Sequence, residues 1–182
     1  MSVSSGYRPS AYLSRARERG SAGELSVRCG LTLAPFSPSD PPRIAARADF
    51  AAEQKAAGDP LMGPGRPGGL CWTLRAGPRR WDRPLACGGL EDLGHGRWGG
   101  WLYASDLSPR GWALVARAFR MMRQEVQARR VELTVRAPAT AEDRPLAMKA
   151  CRFAVRLGLE REGLMRAWGA DGADYFLFAG VF

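Results

Sequence analysis

Histidine and lysine are nearly missing from this 182-residue chain: His95 is the one imidazole, and Lys55 and Lys149 are the two lysines. A hydrolase triad needs a histidine beside a nucleophile, and His95 sits in the glycine-rich stretch GHGRWG with no nucleophile elbow nearby, which argues against that chemistry. The four cysteines, Cys29, Cys71, Cys87 and Cys151, are widely spaced and form no CxxC pair, so no zinc site is expected. Without a secretory signal they read as reduced, mostly buried small hydrophobes in a cytosolic setting. No apolar run approaches the ~20 residues that cross a bilayer, and the closing YFLFAGVF is far shorter, so no membrane span is expected.

What the chain has in excess is arginine. It supplies nearly all of the 27 basic residues set against 18 acids, giving a formal charge of +9 and a pI near 10.2. Such a surface attracts phosphates, nucleic acid, acidic proteins or CoA-like ligands without choosing among them. Codon bias in a GC-rich genome raises arginine and alanine as well. The length suits one well-packed core with an additional segment.

That segment is the N-terminal stretch. Residues 1–23 are Ser- and Arg-rich, with Arg8, Arg15, Arg17 and Arg19 set against Glu18, and read as a basic arm outside a domain spanning 24–182. LSVRCGLTL (25–33) has strand character. Ser39 or Asp40 is then placed to cap a helix over IAARADFAAEQKAAG (44–58), with Pro41 or Pro42 in its first turn. Three strands follow at 70–76, 84–92 and 97–106. Trp112, Val115, Ala116, Phe119, Met122 and Val126 recur at helical spacing, predicting a helix from Ser108–Pro109 to about Ala128. A strand at 131–137, a helix over LAMKACRFAVRLG ended by Gly158, a strand at 159–168, a GADG turn and a strand at 173–182 buried on both faces complete the chain. The order β-α-β-β-β-α-β-α-β-β defines a mixed α/β domain.

That order, joined to A-x-x-F-x-x-x-x-G-L-E-x-E-G at Ala150 to Gly163, resembles the GNAT superfamily of acetyl-CoA-dependent N-acyltransferases. Ala150, Phe153, Gly158, Glu160 and Gly163 keep the family pattern. The resemblance implies a GNAT-like mixed central sheet in which two parallel strands, RWGGWLYASD and VELTVRA, splay apart. The pantetheine arm of acetyl-CoA would lie between them against the backbone of Trp101, Leu102 and Tyr103, with its pyrophosphate at the N-terminus of the next helix. The phosphate-loop window there is Ser108, Pro109, Arg110, Gly111, Trp112, Ala113. Glycine in a first helical turn costs ~1 kcal/mol relative to alanine, so Gly111 points to something approaching the backbone closely.

Departures from the family pattern are equally plain. Ser108 stands where Arg or Gln is expected, Pro109 lacks an N–H, and Asp106 adds negative charge, with Arg110 the available compensation. Ala154 replaces the tyrosine that serves many relatives as general acid, Ala147 the asparagine, and Leu159 an aromatic. Glu91 or Asp92 is the available base and Tyr103 or Tyr175 the available acid, with Glu91 and Tyr103 the catalytic candidates and no metal implied. The same departures resemble shortened GNAT-like proteins of tailed phages, some carried in virions. The implied function is a GNAT-fold protein with a degraded acetyl-CoA site, an accessory or virion protein in the host cytoplasm or the particle, whose partners are other virion or phage proteins. The alternative is an active N-acetyltransferase using an amine-bearing acceptor. GHGRWG and GPGRPG satisfy G-x-G-x-x-G literally but open no helix after a strand, so neither is a dinucleotide site; the first reads as a hairpin turn, with Gly99 and Gly100 after it marking a bulge. Arg79, Arg80 and Arg83 around Trp81 leave nucleic-acid binding open.

Overall fold

The computed structural model describes residues 30–47, 69–77 and 83–182. The basic arm, residues 48–58 of the expected first helix, GPGRPG, Arg79, Arg80 and Trp81 lie outside them. The described elements are β1 (Leu31–Pro35), a 3-10 turn (Pro41–Arg43), β2 (Leu70–Ala76), β3 (Pro84–Gly94), β4 (Arg97–Ala104), α1 (Pro109–Glu125), β5 (Arg130–Arg136), α2 (Arg144–Arg156), β6 (Glu160–Met165) and β7 (Tyr175–Val181). The seven strands form one mixed sheet in the order β1-β2-β3-β4-β5-β7-β6, antiparallel throughout except for β4 beside β5. This is the GNAT-like architecture expected from the sequence.

Strand alternation divides the core in two. Leu70, Trp72 and Leu74 of β2 point to the face covered by α1 and α2, where they meet Val115, Phe119 and Leu157. Cys71 and Cys87 point to the opposite face and pack with Phe36, Ile44, Trp101 and Tyr103. Thr73 and Arg75 share that second face, and both are buried. Two polar side chains there require partners. Asp40 provides them: its carboxylate accepts from Arg75 Nη2 at 2.6 and 2.7 Å, from Thr73 Oγ1 at 2.7 Å and from the Ser37 N–H at 3.0 Å.

This corrects the expected cap. Asp40 makes no side-chain cap bond, the helical turn after it lasts three residues, and Ile44 is extended at φ −84°, ψ 122°. The carboxylate cannot cap a helix and neutralise Arg75 at once, and the buried guanidinium wins.

The final strand also differs from expectation. Tyr175, Phe178 and Ala179 are buried, yet Val181 is 77% exposed, so β7 is not covered on both faces along its length. The bulge expected at Gly99 and Gly100 lies instead in the β3–β4 hairpin, at Asp92/Gly94. Gly100 has a different reason: a Cβ there would fall 2.3 Å from Leu133 Cδ2 and 3.2 Å from Phe119 Cε2. The missing side chain lets Leu133 of β5 lean across β4.

Candidate functional site

Pairing between β4 and β5 begins at Arg97↔Arg130 and Trp98↔Val131 and stops after Gly99↔Glu132. Both strands continue, β4 to Ala104 and β5 to Arg136, so they part beyond that point. The closed end is clamped by charge: Arg97 donates to Glu132 at 2.9 and 3.0 Å, Arg130 donates to Glu132 at 2.8 Å and also pairs with Glu162 of β6. Burial alone would raise the Glu132 pKa, but the hydrogen bonds from Arg130 and Arg97 outweigh it and hold the carboxyl below its usual range.

The register tells which backbone groups look into the gap. Ser105 N–H donates to Leu85 C=O at 2.9 Å, continuing the pairing of Ala86 with Ala104. Backbone groups alternate sides along a strand. Trp101 and Tyr103 therefore turn N–H and C=O to β3, whereas Gly100, Leu102 and Ala104 turn theirs toward β5. On the facing strand, Ala137 N–H bonds Asp174 C=O at 2.9 Å, which leaves Glu132, Thr134 and Arg136 facing β4. Of the three residues expected to offer backbone to a ligand, Leu102 is the one so oriented.

At the wide end the chain meets itself. Arg47 N–H donates to Ala104 C=O at 3.0 Å, and the buried Arg47 guanidinium lies 5.5 Å from the Trp112 ring centroid. Trp112 in turn packs against Phe153 of α2 at 4.8 Å. Arg47 carries no local sequence signal. It reaches the cleft because the Asp40 clamp fixes the loop that precedes it.

The first turn of α1 is equally self-contained. Ser108 is its N-cap and accepts the Gly111 N–H at 3.2 Å; Trp112 N–H bonds the Ser108 carbonyl at 3.0 Å. Pro109 has no N–H, which leaves Arg110 as the remaining first-turn donor. Close approach to Gly111 is real, but it comes from within: a Cβ there would sit 3.2 Å from Leu107 Cβ. Arg110 and Ala113 are exposed at this turn.

The catalytic candidates share a face but not a place. Glu91 pairs with Gly99 at the closed end, and Tyr103 stands four residues further along β4, about 13 Å away at strand rise. Burial, and next the neighbouring Cys87, raises the Tyr103 pKa, so the phenol stays protonated. Asp92 is engaged in the hairpin, accepting Gly94 N–H at 2.7 Å. Tyr175 is buried opposite Arg136 on β5. Ala154, at the position where the family pattern predicts a tyrosine, is packed in the core.

No family model matches the chain, and no curated protein matches it. Solved structures do. A ribosomal-protein-S5-alanine acetyltransferase from Vibrio fischeri superposes with TM-score 0.55 at 11% identity, over 84% of this chain and 93% of that one. The spermidine/spermine N-acetyltransferase SpeG from Vibrio cholerae gives TM-score 0.54 at 12% identity, over 84% and 92%. A spermidine N-acetyltransferase SpeG chimera from Vibrio cholerae and hSSAT matches at TM-score 0.46 and 13% identity over 62% of this chain, which spans just under two thirds, 66%, of its length. At these identities the likeness concerns the fold: a GNAT-like α/β sheet with one parallel, parting strand pair.

Proposed function

We propose that this chain keeps the slot of an acetyl-CoA-dependent N-acyltransferase but meets its binding groups largely from within, so that acetyl-CoA binds weakly or not at all. Three backbone positions carry this reading: Ala104 C=O is taken by Arg47, Gly111 N–H by Ser108, and Pro109 has no donor. The separation of Glu91 from Tyr103 and the core alanine at 154 also support a weakly or non-catalytic protein. Its role is then that of a phage-type accessory or virion protein, with partners among other virion proteins. Residues 1–23 form its basic arm and 24–182 its domain. Stoichiometric presence in purified particles is the expected result, and absence from them removes the virion role.

A second reading rests on the open Leu102 backbone and on Glu91 and Tyr103 sharing one face. In an active N-acetyltransferase, Glu91 would take a proton from the acceptor ammonium through water. The amine nitrogen would then bond the thioester carbonyl carbon, the C–S bond would break, and Tyr103 would protonate the departing thiolate. Calorimetric titration with acetyl-CoA separates the readings. Micromolar binding weakened by Gly111→Glu supports the enzyme; no heat at millimolar ligand supports the scaffold.

A further inference from the structure

The arginines of this protein fall into two populations. Those of the sheet are engaged: Arg75 with Asp40, Arg97 and Arg130 with Glu132, Arg136 with Asp171 at 2.5 Å, and Arg161 over the Phe176 ring. On the two helices Arg123 is engaged as well, stacked 3.7 Å over the Phe182 ring, but the fully exposed cations are not. Arg110, Arg117 and Arg120 of α1 and Arg144, Lys149, Arg152 and Arg156 of α2 are all exposed, and none has a side-chain hydrogen bond, ion pair or ring contact among the described residues. Glu125 is the one acid in α1, and α2 has none. Asp106, Glu142 and Asp143 lie before the helix starts, and Asp143 is tied to Thr140 at 2.9 Å.

The topology gathers these charges on one surface. α1 crosses from β4 to its parallel neighbour β5, and α2 from β5 to β6, which is parallel to β5 through the intervening antiparallel β7. The helices therefore run side by side in the same direction on one face of the sheet, joined at Trp112 and Phe153. At about 100° per residue, Arg110, Arg117 and Arg120 share a stripe about 80° wide, and Lys149, Arg152 and Arg156 one about 60° wide. Phe153 marks the side of α2 turned to α1, and Lys149 and Arg156 lie nearer to that side than the exposed Met148 and Val155 do.

We infer that the α1–α2 face binds the sugar-phosphate backbone of nucleic acid without reading sequence. Two rows of unpaired cations, ~10–15 Å long by helix rise, suit a chain of regularly spaced phosphates better than a single carboxylate. Five of the six are arginine, whose planar fork takes phosphate oxygens in pairs. A membrane surface fits less well, because the apolar side of each helix is already in the core, and Met148 and Val155 lie away from the groove between the rows.

The test is fluorescence anisotropy of a labelled 20-nucleotide single-stranded RNA with the full chain, titrated at 50 to 200 mM KCl. Arg117→Ala/Arg120→Ala/Arg152→Ala should weaken binding at least tenfold at 100 mM salt and reduce the slope of log K against log salt by about 2, at about 0.7 per lost phosphate contact. Arg166→Ala, an exposed change off this face, should leave both unchanged. Thermal melts of the triple variant should match the parent, since no described partner is lost. RNA binding by the triple variant with parental affinity and slope overturns the inference. So does binding to anionic phospholipid vesicles or polyglutamate by a chain that ignores RNA at 50 mM salt.

Discussion

Replacing Asp40 by alanine tests how the second face of the sheet is held. The carboxylate is 1% exposed, its partner guanidinium 4%, and the substitution removes every acceptor described for Arg75 Nη2 while also stripping Thr73 Oγ1 and the Ser37 N–H of their bonds. Breaking a buried pair from one side costs about 3–5 kcal/mol, against a total stability of about 5–15 kcal/mol for a domain. With a urea m-value of about 2 kcal/mol/M, the midpoint should fall by on the order of 2 M. Asp40→Leu combined with Arg75→Met removes both charges and should be less damaging than Asp40→Ala alone. Equilibrium urea unfolding followed by tryptophan fluorescence measures all three proteins. A loss below about 1 kcal/mol for Asp40→Ala, or a double variant no better than the single, refutes the assignment of this pair as the clamp on the loop that delivers Arg47.

Gly111→Ala should change stability by less than about 1 kcal/mol, because the helix gains what alanine offers over glycine while the new methyl crowds Leu107 Cβ at 3.2 Å; a loss above about 3 kcal/mol on thermal melting contradicts the packing described. Glu132→Gln should lower stability by about 1 kcal/mol at pH 7. The parent and variant should converge as pH falls through the depressed Glu132 pKa, since a carboxyl favoured as its anion in the fold loses that advantage on protonation; a pH-independent difference counts against the ionic clamp. Burial, and then Glu91, pushes the Cys71 thiol up to about 12. In the fold this thiol stays protonated where the unfolded chain ionises, so stability should decline by about 1.4 kcal/mol per pH unit and per such thiol between about pH 9 and 12. Cys71→Ala should shallow that decline when unfolding is measured across this range, and an unchanged slope refutes the assignment.

Much of the fold was legible because its signals are local. LCWTLRA spans β2 as expected, and the Ser108–Pro109 start of α1 follows from cap chemistry and helical spacing within a few residues. Gly158 closes α2 at φ +86°, a conformation that favours glycine. The parting of β4 from β5 was expected from family resemblance alone, since no pattern in either strand states where pairing ends.

What escaped the sequence is non-local. Asp40 sits before two prolines like a helix cap, and only Arg75, 35 residues away, diverts it. Alternation in LCWTLRA offered a clue, because Arg75 shares a face with Cys71 and Thr73 and so needed a buried partner. The roles of Trp101 and Tyr103 depend on strand register, which decides whether backbone groups meet β3 or the cleft. Arg47 at Ala104 follows from the folded path of the loop.

Isothermal titration of the full chain with acetyl-CoA tests the self-satisfied cleft most directly. No saturable heat below millimolar ligand is expected. Micromolar binding that Gly111→Glu abolishes would contradict a slot in which the Ala104 carbonyl and the Gly111 N–H are already taken by Arg47 and Ser108.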